Sequence, residues 1–301
     1  MKTSNLLKTL LLVMTLSTVS CVQDPCALKD DQSVKANGNS LQTKNDCDAD
    51  DGGSVDEPDD GSDTTPPPVD TNPEDTIEES FYSPWKSDWT AIVIDAYQGN
   101  SIDWNKMAQD ERMVGVIHRS SIGLRVDTKY KERRAIAKER GYLWGAYHLG
   151  YKGDVQEQVD LFLDLVDGDE ETLMILDLED TTNGLFMTID EAVTFMEMVY
   201  ERTGRIPVVY ANHSTTKKLN QKVSNNPILQ QSKLWYARFK SNVYDYPAGI
   251  WPNYFLWQFS SEINCSKTGS CLYNVPGTRY DMDVNVYYGT VDDLRANWNN
   301  Y

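Results

Sequence analysis

All eight tryptophans and all seventeen tyrosines of this 301-residue chain lie after Ser80. A packed core needs large apolar side chains, so whatever folds here must be built from residues 81–301. Residues 22–80 hold seventeen acids, three lysines and no aromatic residue. That composition buries too little surface to offset chain entropy, and we expect a disordered acidic linker. Seventeen acids less three lysines leaves fourteen of the eighteen excess negative charges in this segment, so the formal charge describes the linker and not the partners of the folded part. No basic stripe appears anywhere, which argues against nucleic acid. A flexible coil of about 59 residues spans roughly 40–45 Å, and Pro66-Pro67-Pro68 stiffens its end. Such a tether supplies reach.

The N-terminus reads as a targeting segment. Lys2 and Lys8 flank an apolar run, 10–16, too short to span a bilayer. Ser17-Thr18-Val19-Ser20 then precedes Cys21, which resembles the lipobox of bacterial lipoproteins, with Thr18 in place of the usual leucine. The resemblance implies lipidation of Cys21 as the mature N-terminus; the alternative is an ordinary cleaved signal peptide. We therefore expect a signal peptide over 1–20, the linker over 21–80, a single folded domain over 81–301, and an exported protein anchored to a membrane at the cell envelope or cell surface. Four further cysteines form two local pairs, Cys26 with Cys47 and Cys265 with Cys271. In an oxidising compartment both can be disulfides; the shorter loop would contribute about 2 kcal/mol. No histidine sits near either pair, so metal binding is set aside.

Beyond Trp89 the sequence alternates short β-branched and aromatic runs with helical patterns. The runs are 91–97, 113–121, 142–150, 173–180, 206–212, 234–239, 254–260 and 280–288. A helix over 188–203 opens with a capping box, Thr188 and Glu191, and stops at Gly204. Asp154 with Glu157 opens another, and 129–140 is a third, closed by Gly141. Alternation of this kind predicts parallel pairing, and eight strands suffice to close an α/β barrel. The last third has little helical pattern and should be irregular.

Leu176-Asp177-Leu178-Glu179-Asp180 ends the fourth run. Alternate residues of a strand share a face, which predicts Asp177 and Glu179 on one side, about 6.6 Å apart along the backbone, with Leu176 and Leu178 facing the helices. Barrel enzymes carry their catalytic groups at such strand ends. Glycoside hydrolysis needs one carboxylic acid to protonate the leaving oxygen and a second carboxylate for the developing positive charge. The blander reading is a strand end whose acids face solvent or cap the next helix. Asp95 ends the first run, and Asp281, Asp283 and Asn285 alternate along the last; closing a barrel brings those two runs together. Tyr97, Tyr147, Tyr210, Trp235 and Trp257 recur at the same ends, where flat rings can stack on sugar faces.

Ile94-Asp95-Ala96-Tyr97-Gln98-Gly99 with Ile102-Asp103-Trp104 resembles the opening strand of glycoside hydrolase family 25, the Chalaropsis-type lysozymes (N-acetylmuramidases). So do Gly145-Ala146-Tyr147-His148, the run from Leu176 to Glu179, Val209-Tyr210, Leu234-Trp235-Tyr236-Ala237-Arg238, Leu256-Trp257-Gln258 and Asp283-Val284-Asn285. The resemblance runs in order over residues 90–288. It implies an irregular TIM-like β/α barrel with eight strands and fewer helices, and hydrolysis of the β-1,4 bond between N-acetylmuramic acid and N-acetylglucosamine in peptidoglycan. By position, Glu179 corresponds to the general acid and Asp177 to the carboxylate that assists directly or by orienting the substrate's N-acetyl oxygen. Asp95 and Asp283 correspond to two further acids of the groove, Asp283 being preferred to Asp281 because Asn285 follows it. Tyr97, Tyr147, His148, Tyr210, Trp235, Arg238, Trp257 and Gln258 fall at positions expected to bind substrate.

One departure is Arg119-Ser120-Ser121-Ile122-Gly123, where the family usually has a Lys-Ala-Thr-Glu-Gly-like segment. Ile122 replaces the acid, which predicts altered substrate contacts. Another is the insertion around Cys265 and Cys271, which can reshape one groove wall. His118, His148 and His213 lack metal-ligand spacing, and we expect no metal, no cofactor and a monomer. The competing function is a catalytically weak or inactive surface glycan-binding lipoprotein on the same scaffold; a third reading is a hydrolase of another amino-sugar polymer.

Overall fold

The computed structural model describes residues 81–299 apart from 183, 267 and 268. The expected signal segment, the lipidation at Cys21, the acidic linker and the pair Cys26 and Cys47 lie outside the described residues.

Eight strands close into a ring. In ring order they are β1 (Ile92–Ala96), β3 (Met113–Ile122), β5 (Leu143–Leu149), β6 (Leu173–Asp177), β7 (Val208–Asn212), β8 (Leu234–Ala237), β9 (Leu256–Ser260) and β11 (Asp283–Val286), which returns to β1. Each falls inside or within a residue of one expected run. Three short strands lie outside the ring. β4 (Arg125–Val126) folds back on the end of β3, while β2 (Ser101–Ile102) and β10 (Thr278–Arg279) pair as a separate ribbon.

The expectation of parallel pairing throughout is corrected at one stave. β1 to β9 are parallel neighbours around the ring, but β11 is antiparallel to both β9 and β1. The reason lies in the connection. A parallel crossover needs a segment that carries the chain back to the opposite end, usually a helix. Between β9 and β11 the longest helix is the four-residue α7 (Glu262–Cys265), so the chain stays at the rim it reached and re-enters from there. β11 therefore begins at the mouth where its neighbours end.

Longer helices cover the earlier crossovers: α2 (Tyr130–Glu139), α3 (Val155–Val166), α4 (Ile189–Thr203) and α5 (His213–Lys222). α1 (Trp104–Met107) and α6 (Pro227–Gln231) are short. The start and stop signals act as the sequence implied. Thr188 and Glu191 form the reciprocal capping box of α4, and Gly204 ends it in the left-handed region at φ 69°. Asp154 caps α3 by accepting from the Glu157 amide.

Strand alternation divides the core in two. Ile94, Val116, Leu176 and Val284 face outward against Phe162, Phe195 and Val199 of the helices. Val93, Ile117, Ile175 and Trp235 face into the barrel. Burying each such side chain contributes about 1.5–3 kcal/mol. The end opposite the mouth is closed by α8 (Val291–Asn297): Leu294 and Trp298 are buried in the interior cluster, and the Trp298 indole donates to the Trp144 carbonyl at 3.0 Å.

Candidate active site

The mouth collects the C-terminal ends of seven parallel staves and the first residue of the reversed one. Asp95 occupies the fourth position of β1 on the interior face, 8% exposed, and its register partner on β11 is Asp283. Directly opposed Cα atoms in antiparallel strands are about 4.5–5.5 Å apart, and like charges so placed are unfavourable without compensation. The compensation is a set of amides. Asn285 Nδ2 donates to Asp95 Oδ2 at 2.7 Å, and Gln258 Nε2 lies 3.2 Å from both Asp95 oxygens.

The orientation of both amides is fixed from behind. The Trp235 indole can only donate, and it reaches Asn285 Oδ1 at 2.6 Å; the Tyr210 hydroxyl donates to Gln258 Oε1 at 2.8 Å. Each amide therefore turns its NH2 toward Asp95. This buried network ties β1, β7, β8, β9 and β11 together at one level of the barrel. Asp281 is placed elsewhere: it sits in the loop before β11 at φ 53°, and its Oδ1 accepts from the Ile263 amide at 2.8 Å.

Asp177 is the last residue of β6, 7% exposed, on the interior side with Ile175, while Leu176 and Leu178 pack in the outer layer. The Leu178 amide donates to the Tyr210 carbonyl at 3.0 Å, so the extended course continues one residue past the strand. Glu179 follows, half-buried; alternation assigns it to the side of Asp177. Its carbonyl accepts from Thr215 Oγ1 in the first turn of α5 at 3.2 Å, which fixes the backbone there. Asp180 turns to its own loop, bonding the Thr182 amide and hydroxyl, and its carboxyl is held below the usual range chiefly by the Thr182 hydroxyl.

Tyr147 lies on the interior face of β5, the stave next to that of Asp177. Burial pushes its hydroxyl well above the ordinary tyrosine value, and the charges of Asp95 and Asp177 push the same way, with Arg119 opposing. The rings of Tyr147 and Tyr210 meet Trp235 edge to face at 6.2 and 4.6 Å. Tyr97, half-buried just past β1, lies under the Arg119 guanidinium at 4.8 Å. Its carbonyl accepts from Arg133, which also donates toward Nε2 of the buried His118.

Two expected substrate contacts are corrected. His148 and Trp257 are each adjacent in their strand to an interior residue, Tyr147 and Gln258, so alternation sends both outward. His148 stacks on Phe195 at 5.1 Å, accepts from Ser121 Oγ through Nδ1 and donates to Gln158 Oε1 through Nε2. Burial lowers its pKa to about 4. Trp257 is wholly buried in the outer cluster, its indole donating to the Arg238 carbonyl at 2.7 Å. Arg238 lies at the rim and pairs with Asp245 at 2.7 Å.

Arg119 and Thr215 were not singled out as site residues by sequence reasoning. Arg119 was discoverable: it stands two residues after Ile117 on the interior face of β3. Thr215 carried no such signal, because its part depends on where α5 docks.

The sequence model of glycosyl hydrolases family 25 matches residues 92–268, more than half of the chain. No curated protein sequence matches it. Among solved structures, the chain is similar to the bacterial lysozyme from Streptomyces coelicolor at 23% identity and a TM-score of 0.55, covering 70% of this chain and 97% of that one. A family GH25 lysozyme from Aspergillus fumigatus matches at 20% identity and 0.54, over 69% of this chain and 98% of the other. The Clostridium perfringens spore cortex lytic enzyme SleM matches at 21% and 0.56, over 69% and 70%. The likeness in fold is a closed eight-stranded mixed barrel with few helices, and with the family match over seven of the eight staves it establishes that this chain belongs to glycosyl hydrolases family 25.

Proposed function

We propose that this chain is an N-acetylmuramidase, hydrolysing the β-1,4 bond between N-acetylmuramic acid and N-acetylglucosamine in peptidoglycan. The observation that carries the reading is the convergence of carboxyl groups on one mouth: Asp95 opposite Asp283 in register, Asp177 at the mouth end of β6 on the interior face, and Glu179 two residues beyond it. Family membership supports it, and the neighbours named above are a lysozyme, a GH25 lysozyme and a spore cortex lytic enzyme.

In this mechanism Glu179, as the protonated acid, gives its proton to the glycosidic oxygen as the bond to the anomeric carbon breaks. Asp177 meets the developing positive charge, directly or by orienting the substrate's N-acetyl oxygen. Water then adds at the anomeric carbon and returns a proton to Glu179. Tyr147, Tyr210 and Trp235 form the floor beneath the acids.

Glu179→Gln keeps the shape and removes the proton donor. Turnover on purified peptidoglycan should fall by about 10²–10⁴, and mass spectrometry of wild-type products should find muramic acid at the new reducing ends. Equal turnover by variant and wild type would remove Glu179 from the role.

The same proposal has the protein exported and held on a lipid at Cys21, with residues 22–80 as the tether. Labelling cells with an alkyne fatty acid should mark the wild-type chain and not Cys21→Ala; labelling of both, or neither, contradicts the anchor.

A further inference from the structure

Between β9 and β11 the chain leaves the ring after Ser260 and rejoins it at Asp283, and along that excursion it builds a second concavity. A cavity of about 390 Å³ opens among Glu262, Tyr273, Asn274, Thr278, Arg279 and Met282. That volume lies at the small end of the roughly 300–1,000 Å³ usual for small-molecule sites.

Its frame is fixed at several points. Cys265 and Cys271 are joined by a disulfide, and the Ile263 amide is held by Asp281. Tyr273 is pinned at both ends, its amide donating to Ser260 Oγ and its hydroxyl to Asp110, each at 2.8 Å. Thr278 and Arg279 pair with Ile102 and Ser101. Gly277 links the ribbon to α1: its carbonyl accepts from the Asp103 amide at 2.9 Å, its φ is +82°, and a Cβ would lie 2.6 Å from the Asp103 carbonyl oxygen. Only glycine fits that approach.

The charges on this frame are left open. Glu262 and Arg279 line the same cavity with opposite signs, both exposed, yet among the described residues neither side chain bonds the other or any third group. Opposite charges lining one preformed cavity suit a ligand that carries both an amine and a carboxylate.

We propose that this cavity binds the zwitterionic end of the peptide stem of peptidoglycan. The inference rests on the muramidase reading, because that substrate bears a short peptide on the lactyl group of the sugar at the cleavage site. Connectivity agrees: Met282 lines the cavity and the next residue is Asp283 at the mouth. Extended peptide advances about 3.3–3.6 Å per residue, so a stem of three residues spans roughly 10 Å. Arg279 would take the carboxylate and Glu262 the ammonium, as charge-assisted hydrogen bonds.

The test uses the full chain with Arg279→Gln and Glu262→Gln, on peptidoglycan with its stems and on the same glycan stripped of stems by an amidase. Wild type should have a KM about tenfold lower on the stem-bearing polymer, and either variant should erase that preference, as loss of ground-state binding does. A preference that survives both substitutions, or is absent from wild type, overturns the proposal. Calorimetry with a soluble tripeptide ending in a diamino acid separates the two readings. Binding by wild type that is lost in Arg279→Gln supports the cavity even if no polymer is cleaved, whereas cleavage without tripeptide binding leaves the muramidase standing and overturns the cavity.

Discussion

Asn285 joins three staves of the site. Its amide donates to Asp95 and to the Val93 carbonyl and accepts from the Trp235 indole, so one side chain connects β11 with β1 and β8. Asn285→Leu keeps the approximate volume but withdraws a donor from a buried carboxylate and an acceptor from a buried indole. Leaving such groups unserved costs about 1–3 kcal/mol each, so the urea midpoint should fall by an amount equivalent to at least about 2 kcal/mol, with turnover reduced as Asp95 loses its anchor. A variant with unchanged midpoint and turnover would contradict this role. At this scale the sequence was legible where alternation was applied and misleading where it was not. Asp95, Asp177, Tyr147, Tyr210, Trp235 and Gln258 all fall on interior positions. His148 and Trp257 were drawn in because they stand beside interior residues within recognisable motifs, and adjacent residues of one strand cannot share a face.

The eight staves were legible as elements because each is a short run of β-branched and aromatic residues bounded by polar ones. Helices were legible where a capping box, a capping acid or a terminal glycine marked an end, as in α2, α3 and α4. α5 escaped notice because its buried face is Thr215, Thr216 and Leu219, too polar to register as a stripe. α8 escaped for a related reason: its anchor, Trp298, lies just past its last turn. Trp298 is nonetheless almost wholly buried and seals the end of the barrel opposite the mouth. Trp298→Ala should cost about 3–5 kcal/mol, read as a lower denaturation midpoint, while the KM of the material still folded stays near wild type because the mouth lies at the other end. A large change in KM with little loss of stability would show that α8 bears on the groove.

Acid stability belongs to the whole molecule. Burial lowers both His118 and His148 from 6.5 to about 4, each held between neutral-form hydrogen bonds. Between those values the unfolded chain binds protons that the folded chain excludes, so stability falls as pH drops from 6.5 toward 4 and is whole above 6.5. At 1.36 kcal/mol per pKa unit each histidine accounts for about 3 kcal/mol. The urea midpoint should therefore decline steeply from about pH 7 to about pH 4.5; a flat or rising midpoint over that window would contradict the burial of both rings. The reversed β11 governs a different property, how such a molecule tolerates change. The chain leaves the ring after β9 and rejoins it at β11 on the same rim, so a change of length between them shifts the register of no stave. A residue inserted within a stave turns every later side chain in it to the opposite face. Any exchanged piece must keep the anchors at Tyr273, Gly277 and Thr278, which tie it to Ser260, Asp103 and Ile102; between those anchors its length is free.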